Sequence, residues 1–110
     1  MDPQVQLQAL KNLFPQAELV TEQGRTAVLL PQVKFQAGGA RVTRDLVLWP
    51  SERDSYSTRL FLSEQVAGAT SRVWKSFSLC GGTWWAVSWR GVPATLPWIE
   101  ILANHLKAFQ

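Results

Sequence analysis

Residues 74–89 read Trp-Lys-Ser-Phe-Ser-Leu-Cys-Gly-Gly-Thr-Trp-Trp-Ala-Val-Ser-Trp, and how this stretch is taken decides the fold. It holds the only cysteine, Cys80, followed at once by Gly81 and Gly82, and four of the six tryptophans: Trp74, Trp84, Trp85 and Trp89. Glycines beside a thiol let the backbone turn sharply and leave the sulfur open to a partner. Flanking indoles can bury the backbone and fix its path. The stretch therefore reads as a long aromatic loop that raises Cys80, a candidate nucleophile. Trp84 and Trp85 are adjacent, so in an extended segment they point to opposite sides, one inward and the other free to meet a partner.

Outward from the loop, the chain alternates between strand and helix signals. Upstream, residues 17–22, 26–35, 41–49 and 58–64 carry strand patterning, separated by turn signals at Gln23-Gly24-Arg25, Gly38-Gly39 and the polar run after Pro50. Pro31 inside the second run predicts an edge position or a bulge. At the N-terminus, Asp2-Pro3 supplies a cap and a first-turn proline, and Val5, Ala9, Leu10, Leu13 and Phe14 recur at helical spacing up to Pro15. Downstream, Thr95 is the expected cap of a helix whose apolar positions are Leu96, Ile99, Leu102, Ala103, Leu106 and Phe109. The order predicts an α+β domain: N-terminal helix, four-stranded antiparallel meander, cysteine-bearing loop, C-terminal helix, with the helices covering the sheet.

The 110 residues suit a single domain spanning 1–110. At 46 % apolar and 17 % charged residues the chain can fill a core. No apolar run reaches bilayer-spanning length, and the N-terminus lacks the basic and apolar regions of a signal peptide. One cysteine excludes an internal disulfide and fits a reducing cytoplasm. With one histidine, His105, no zinc site and no cofactor are expected. The formal charge of +3 comes from eleven basic and eight acidic residues spread along the chain, which does not favour nucleic acid as a partner. A single-stranded nucleic-acid binder using exposed tryptophans is the weakest of the readings.

Several strings carry a resemblance: Leu46-Val47-Leu48-Trp49-Pro50, then Tyr56, then Leu60-Phe61-Leu62, then Cys80 with Trp89 nine residues on, Thr95 and the helix over 99–106. In this order the chain resembles ubiquitin-conjugating enzymes, the UBC fold, and in particular the short bacterial versions found in ubiquitin-like antiphage operons. The His-Pro-Asn motif that precedes the cysteine in that family is absent; the region reads Ala69-Thr70-Ser71-Arg72-Val73.

The resemblance implies a cytoplasmic transferase. Cys80 would accept the C-terminus of a ubiquitin-like protein from an activating (adenylating) enzyme as a thioester. It would then pass the acyl group to an amine on a target protein, such as a phage structural protein. Acyl transfer needs donors for a developing oxyanion. The backbone N–H groups of Gly81 and Gly82 are candidates, with Ser78, Arg72 and Ser76 as further loop support, and Trp84, Trp85 and Trp89 as the partner-binding set. No histidine stands near Cys80 in sequence, so a protease-like Cys-His pair is not expected. The alternative from another class is a catalytically inactive UBC-like module that binds and scaffolds partners.

Overall fold

A computed structural model describes residues 2–67 and 73–110. Its elements are α1 (Pro3–Lys11), β1 (Glu18–Glu22), β2 (Arg25–Ala37), β3 (Ala40–Trp49), β4 (Arg59–Leu62), β5 (Trp74–Leu79), β6 (Gly82–Val87), α2 (Trp98–Leu106) and a 3-10 turn at Lys107–Phe109. The strands form one antiparallel sheet in the order β1-β2-β3-β4-β6-β5. The α+β class and the meander β1 to β4 are present, but the sheet has six strands rather than four. The expected long loop is instead the β5–β6 hairpin.

The hairpin forms because Cys80-Gly81 makes a two-residue turn, with φ of +47° and +73°. Leu79 pairs with Gly82, and the ladder continues through Phe77–Trp84 and Trp74–Val87. Aromatic and β-branched residues favour such a ladder. Two residues at positive φ match the right-handed twist of the flanking strands. The β1–β2 turn (Gln23, Gly24) and the β2–β3 turn (Gly38, Gly39) repeat this geometry. β6 joins β4 at Leu62–Trp85.

Alternation along β2, β3 and β4 feeds two cores. Val28, Leu30, Leu46, Leu48, Leu60 and Leu62 face the helices. Ala27, Val47, Trp49 and Phe61 face the other way, where they meet Leu79, Trp84 and Ala86 of the hairpin. Val20 of β1 and Phe77 of β5 share this second cluster, although their strands are the two edges of the sheet. The sheet therefore curls until its edges approach, which explains why all four residues of β4 are buried.

The expected bulge lies in β2. Leu30 pairs with Leu46 and Val33 with Arg44, so two residues oppose one. Gln32 takes φ +54°, and its backbone N–H donates to Asp45 Oδ1 at 2.8 Å.

Both helices depart in detail from the sequence expectation. Asp2 does cap α1, its Oδ1 accepting from the Gln4 N–H at 2.9 Å. The inward face, however, is Leu7, Leu10 and Phe14, while Val5 and Leu13 are 61 % and 65 % exposed. Thr95 does not cap α2. The helix begins at Trp98, after Pro97, and Gln6 of α1 accepts the Trp98 N–H at 3.0 Å. A cap supplied from 92 residues away has no local sequence signature. Phe109 then stacks on Trp74 at 5.8 Å, and its carbonyl accepts the Gly38 N–H at 2.9 Å. Among the described residues, no helix is long and apolar enough to cross a membrane.

Candidate functional site

Cys80 is a free, exposed thiol at the tip of the β5–β6 hairpin. It occupies the first central position of the turn, where asparagine, aspartate or glycine is the usual occupant. A side chain there crowds the following carbonyl at a cost of about 1–2 kcal/mol. The turn folds toward the β1–β2 hairpin. The Cys80 backbone N–H donates to Glu22 Oε1 at 2.8 Å, so a carboxylate from one edge of the curled sheet holds the turn at the other. An open groove of about 350 Å³ surrounds the sulfur, with Ser78, Leu79 and Thr83 along the strands and Glu22 opposite.

Burial first, then the negative charge of Glu22 and a thiol hydrogen bond to its carboxylate, push the Cys80 pKa above its ordinary value. At neutral pH the group is a protonated thiol. It attacks slowly, and once acylated it is a poor leaving group, because a sulfur of higher pKa departs more slowly.

The structure brings Cys80, Gly81, Gly82 and Ser78 to one place. The Cys80 N–H is already used by Glu22, and the Gly82 N–H closes the turn against Leu79, which leaves the Gly81 N–H as the nearer candidate for an oxyanion. Gly81 has φ +73° and no heavy atom within 4 Å of where a Cβ would stand, so its backbone is open to approach. Arg72 lies outside the described residues. Ser76 is exposed on β5, opposite Trp85.

The three tryptophans do not form one partner surface. Trp84 points into the second core and is 9 % exposed, a correction to its expected partner-binding role. Trp85 is half-buried over Leu62. Trp89 is half-buried against α2, its indole N–H donating to the Asn104 carbonyl at 3.1 Å. None of the six tryptophans is fully exposed: Trp49, Trp84 and Trp98 are buried, and Trp74, Trp85 and Trp89 are half-buried.

His105 is far from an acid–base role at Cys80. It is 4 % exposed on the helix side and sits 2.8 Å from Thr58 Oγ1, whose proton goes to the Val92 carbonyl at 2.9 Å. Among the described residues no group of three or more His, Cys, Asp or Glu side chains could hold a metal ion.

The sequence reading missed a second concavity, formed where the hairpin meets the loop before β4 and lined by Tyr56, Arg59, Lys75, Ser88 and Arg90. The only signal for it was the string of basic residues flanking Tyr56, which had no register until β5 was placed. Comparison with family models, with curated proteins and with solved structures finds no match to this chain.

Proposed function

We propose that this chain is a UBC-like acyl carrier that takes the C-terminus of a ubiquitin-like protein onto Cys80 and transfers it to an amine on a target protein in the cytoplasm. The observation that carries this reading is the exposed thiol in an open groove, its pKa raised by burial and then by Glu22. In the first step the Cys80 sulfur attacks the carbonyl carbon of a thioester on the activating enzyme. The new carbon–sulfur bond forms, the old one breaks, and the thiol proton passes to the departing sulfur. In the second step an amine nitrogen attacks the same carbon, an amide forms, and Cys80 leaves as thiol with a proton from the amine. A thiol of raised pKa suits the interval between the steps, because a thioester on it resists loss to water better than one on an acidic thiol.

The test is charging in the presence of ATP, a ubiquitin-like protein and its cognate activating enzyme. The expected result is a covalent adduct cleaved by excess thiol but not by a phosphine reductant, absent in Cys80→Ala and thiol-stable in Cys80→Ser. No adduct with a partner set shown to be active on another carrier refutes it.

A second reading, a catalytically inactive UBC-like binding module, is favoured by the engagement of the Cys80 N–H with Glu22, which removes a donor from the oxyanion. It predicts that Cys80→Ala leaves partner binding and biological activity intact.

A further inference from the structure

The concavity beside Tyr56 has a volume of about 380 Å³, within the range of small-ligand sites. Three cations line it: Arg59, Lys75 and Arg90. Arg59 is the anchor, because its side chain is 5 % exposed. A buried guanidinium is retained when something compensates it. Here the compensation is thin. Nη1 reaches Asp54 Oδ2 at 3.4 Å and Nη2 reaches the Val87 carbonyl at 3.4 Å, both long contacts. Asp54 is itself 49 % exposed and shared with Arg53 at 3.3 Å. Among the described residues Asp54 is the only acid in the lining, so two positive charges there stay uncompensated.

The remaining walls divide into two kinds. The Tyr56 ring lies under Arg59 at 4.1 Å and Arg90 at 4.2 Å, which fixes the directions of both guanidiniums. Arg90 is further tied to the Ser55 carbonyl at 3.0 Å. A Ser88 hydrogen bond, and then the three cations, lower the Tyr56 pKa, so the phenol is a strengthened donor. Apolar groups are interleaved with these: Phe77 lies under Arg59 at 4.9 Å, Ala86 pairs with Lys75 across the hairpin, and Val73 is 66 % exposed.

We propose that this concavity binds the dianionic phosphate group of a small molecule whose attached body is apolar. The two uncompensated charges match a phosphate dianion. The exposed Arg90 guanidinium and Lys75 ammonium pair with its oxygens, and the buried Arg59 charge adds to the field behind them. Val73, exposed just before β5, meets the body. This site is independent of acyl transfer at Cys80, which lines a different groove.

The experiment titrates the isotopically labelled full chain by NMR, and the unlabelled chain by calorimetry, at fixed ionic strength. Probes are phenyl phosphate, inorganic phosphate, benzoate, phenol and a short phosphotyrosine peptide. Phenyl phosphate should saturate, with shifts at Lys75, Ser88 and Arg90, and bind more tightly than inorganic phosphate. Benzoate should bind about tenfold more weakly and phenol not measurably, since a charge-assisted hydrogen bond is lost in each. Lys75→Ala and Arg90→Ala, both at exposed positions, should each weaken phenyl phosphate about tenfold, whereas Lys34→Ala on β2 should leave it unchanged. Absence of saturation, equal affinity for benzoate, or equal effects of Lys75→Ala and Lys34→Ala overturns the proposal. Tighter binding of the peptide than of phenyl phosphate overturns the small-molecule assignment.

Discussion

His105 makes the stability of this fold sensitive to acid in a way that can be worked out from its surroundings. The Thr58 hydroxyl spends its proton on the Val92 carbonyl, so its oxygen accepts from His105, and Nε2 carries the ring proton of a neutral imidazole. Burial first, and the Arg59 charge second, lower the His105 pKa to about 4 from the ordinary 6.5. Between those values the unfolded chain binds a proton that the native state refuses. The contribution is therefore complete above pH 6.5, shrinks as the pH falls, and stops shrinking near pH 4, where the native ring also protonates. Each pH unit in that window is worth about 1.4 kcal/mol, so about 3 kcal/mol is gone by pH 4. Carboxylates titrate in the same range, which is why the comparison must be with His105→Gln, a neutral side chain that keeps a donor. Urea unfolding of both proteins from pH 7 to pH 4 should show the native chain losing about 3 kcal/mol more than the variant. The variant starts lower at pH 7, by about 1–3 kcal/mol for the altered buried hydrogen bond. Parallel pH profiles for the two proteins would refute the reasoning, as would an imidazole NMR titration in the folded state with its midpoint near the ordinary value.

The turn at Cys80 yields two further predictions. Cys80→Asn relieves the side-chain crowding at φ +47° and should raise the melting temperature by about 4 °C, corresponding to about 1 kcal/mol; a lowered temperature contradicts the turn assignment. Glu22→Gln removes the charge that holds the thiol protonated, so the pH midpoint for alkylation of Cys80 by iodoacetamide should move down and labelling at neutral pH should quicken. Unchanged kinetics would mean that Glu22 does not govern the sulfur.

Local signals carried much of the framework. The strands β1 to β4, the bulge after Pro31 and the Asp2 cap each depend on residues close in sequence, and each lies where the pattern put it. The hairpin β5–β6 was legible too, since Leu79-Cys80-Gly81-Gly82 is a two-residue turn between aromatic and β-branched runs. Reading the paired glycines as loop punctuation hid it. Other features depend on distant residues and had no local trace: the capping of α2 by Gln6, the choice of Leu7 over Val5 on α1, and the curl that seats Trp84 inside. The exposure of Cys80 followed from its glycines, whereas the carboxylate facing it comes from a strand 58 residues away and could be found only in three dimensions.

That carboxylate bears on why a cysteine stands in this turn at all. Asparagine or glycine would form the same hairpin with less strain, and the sulfur fills no gap in the core, because it is exposed. Nor does the thiol gain reactivity from its setting, since Glu22 suppresses ionisation while gripping the backbone of the same residue. Strain, exposure and suppressed ionisation together are hard to derive from stability alone. They are consistent with a sulfur that must be reached by another chain yet stay inert toward small oxidants and water. Labelling separates the possibilities. A Cys80 that ignores iodoacetamide at neutral pH but charges from a preformed thioester has the reactivity expected of a carrier. A Cys80 inert toward both leaves the turn as a docking element, with the cation-lined concavity as the remaining place for chemistry.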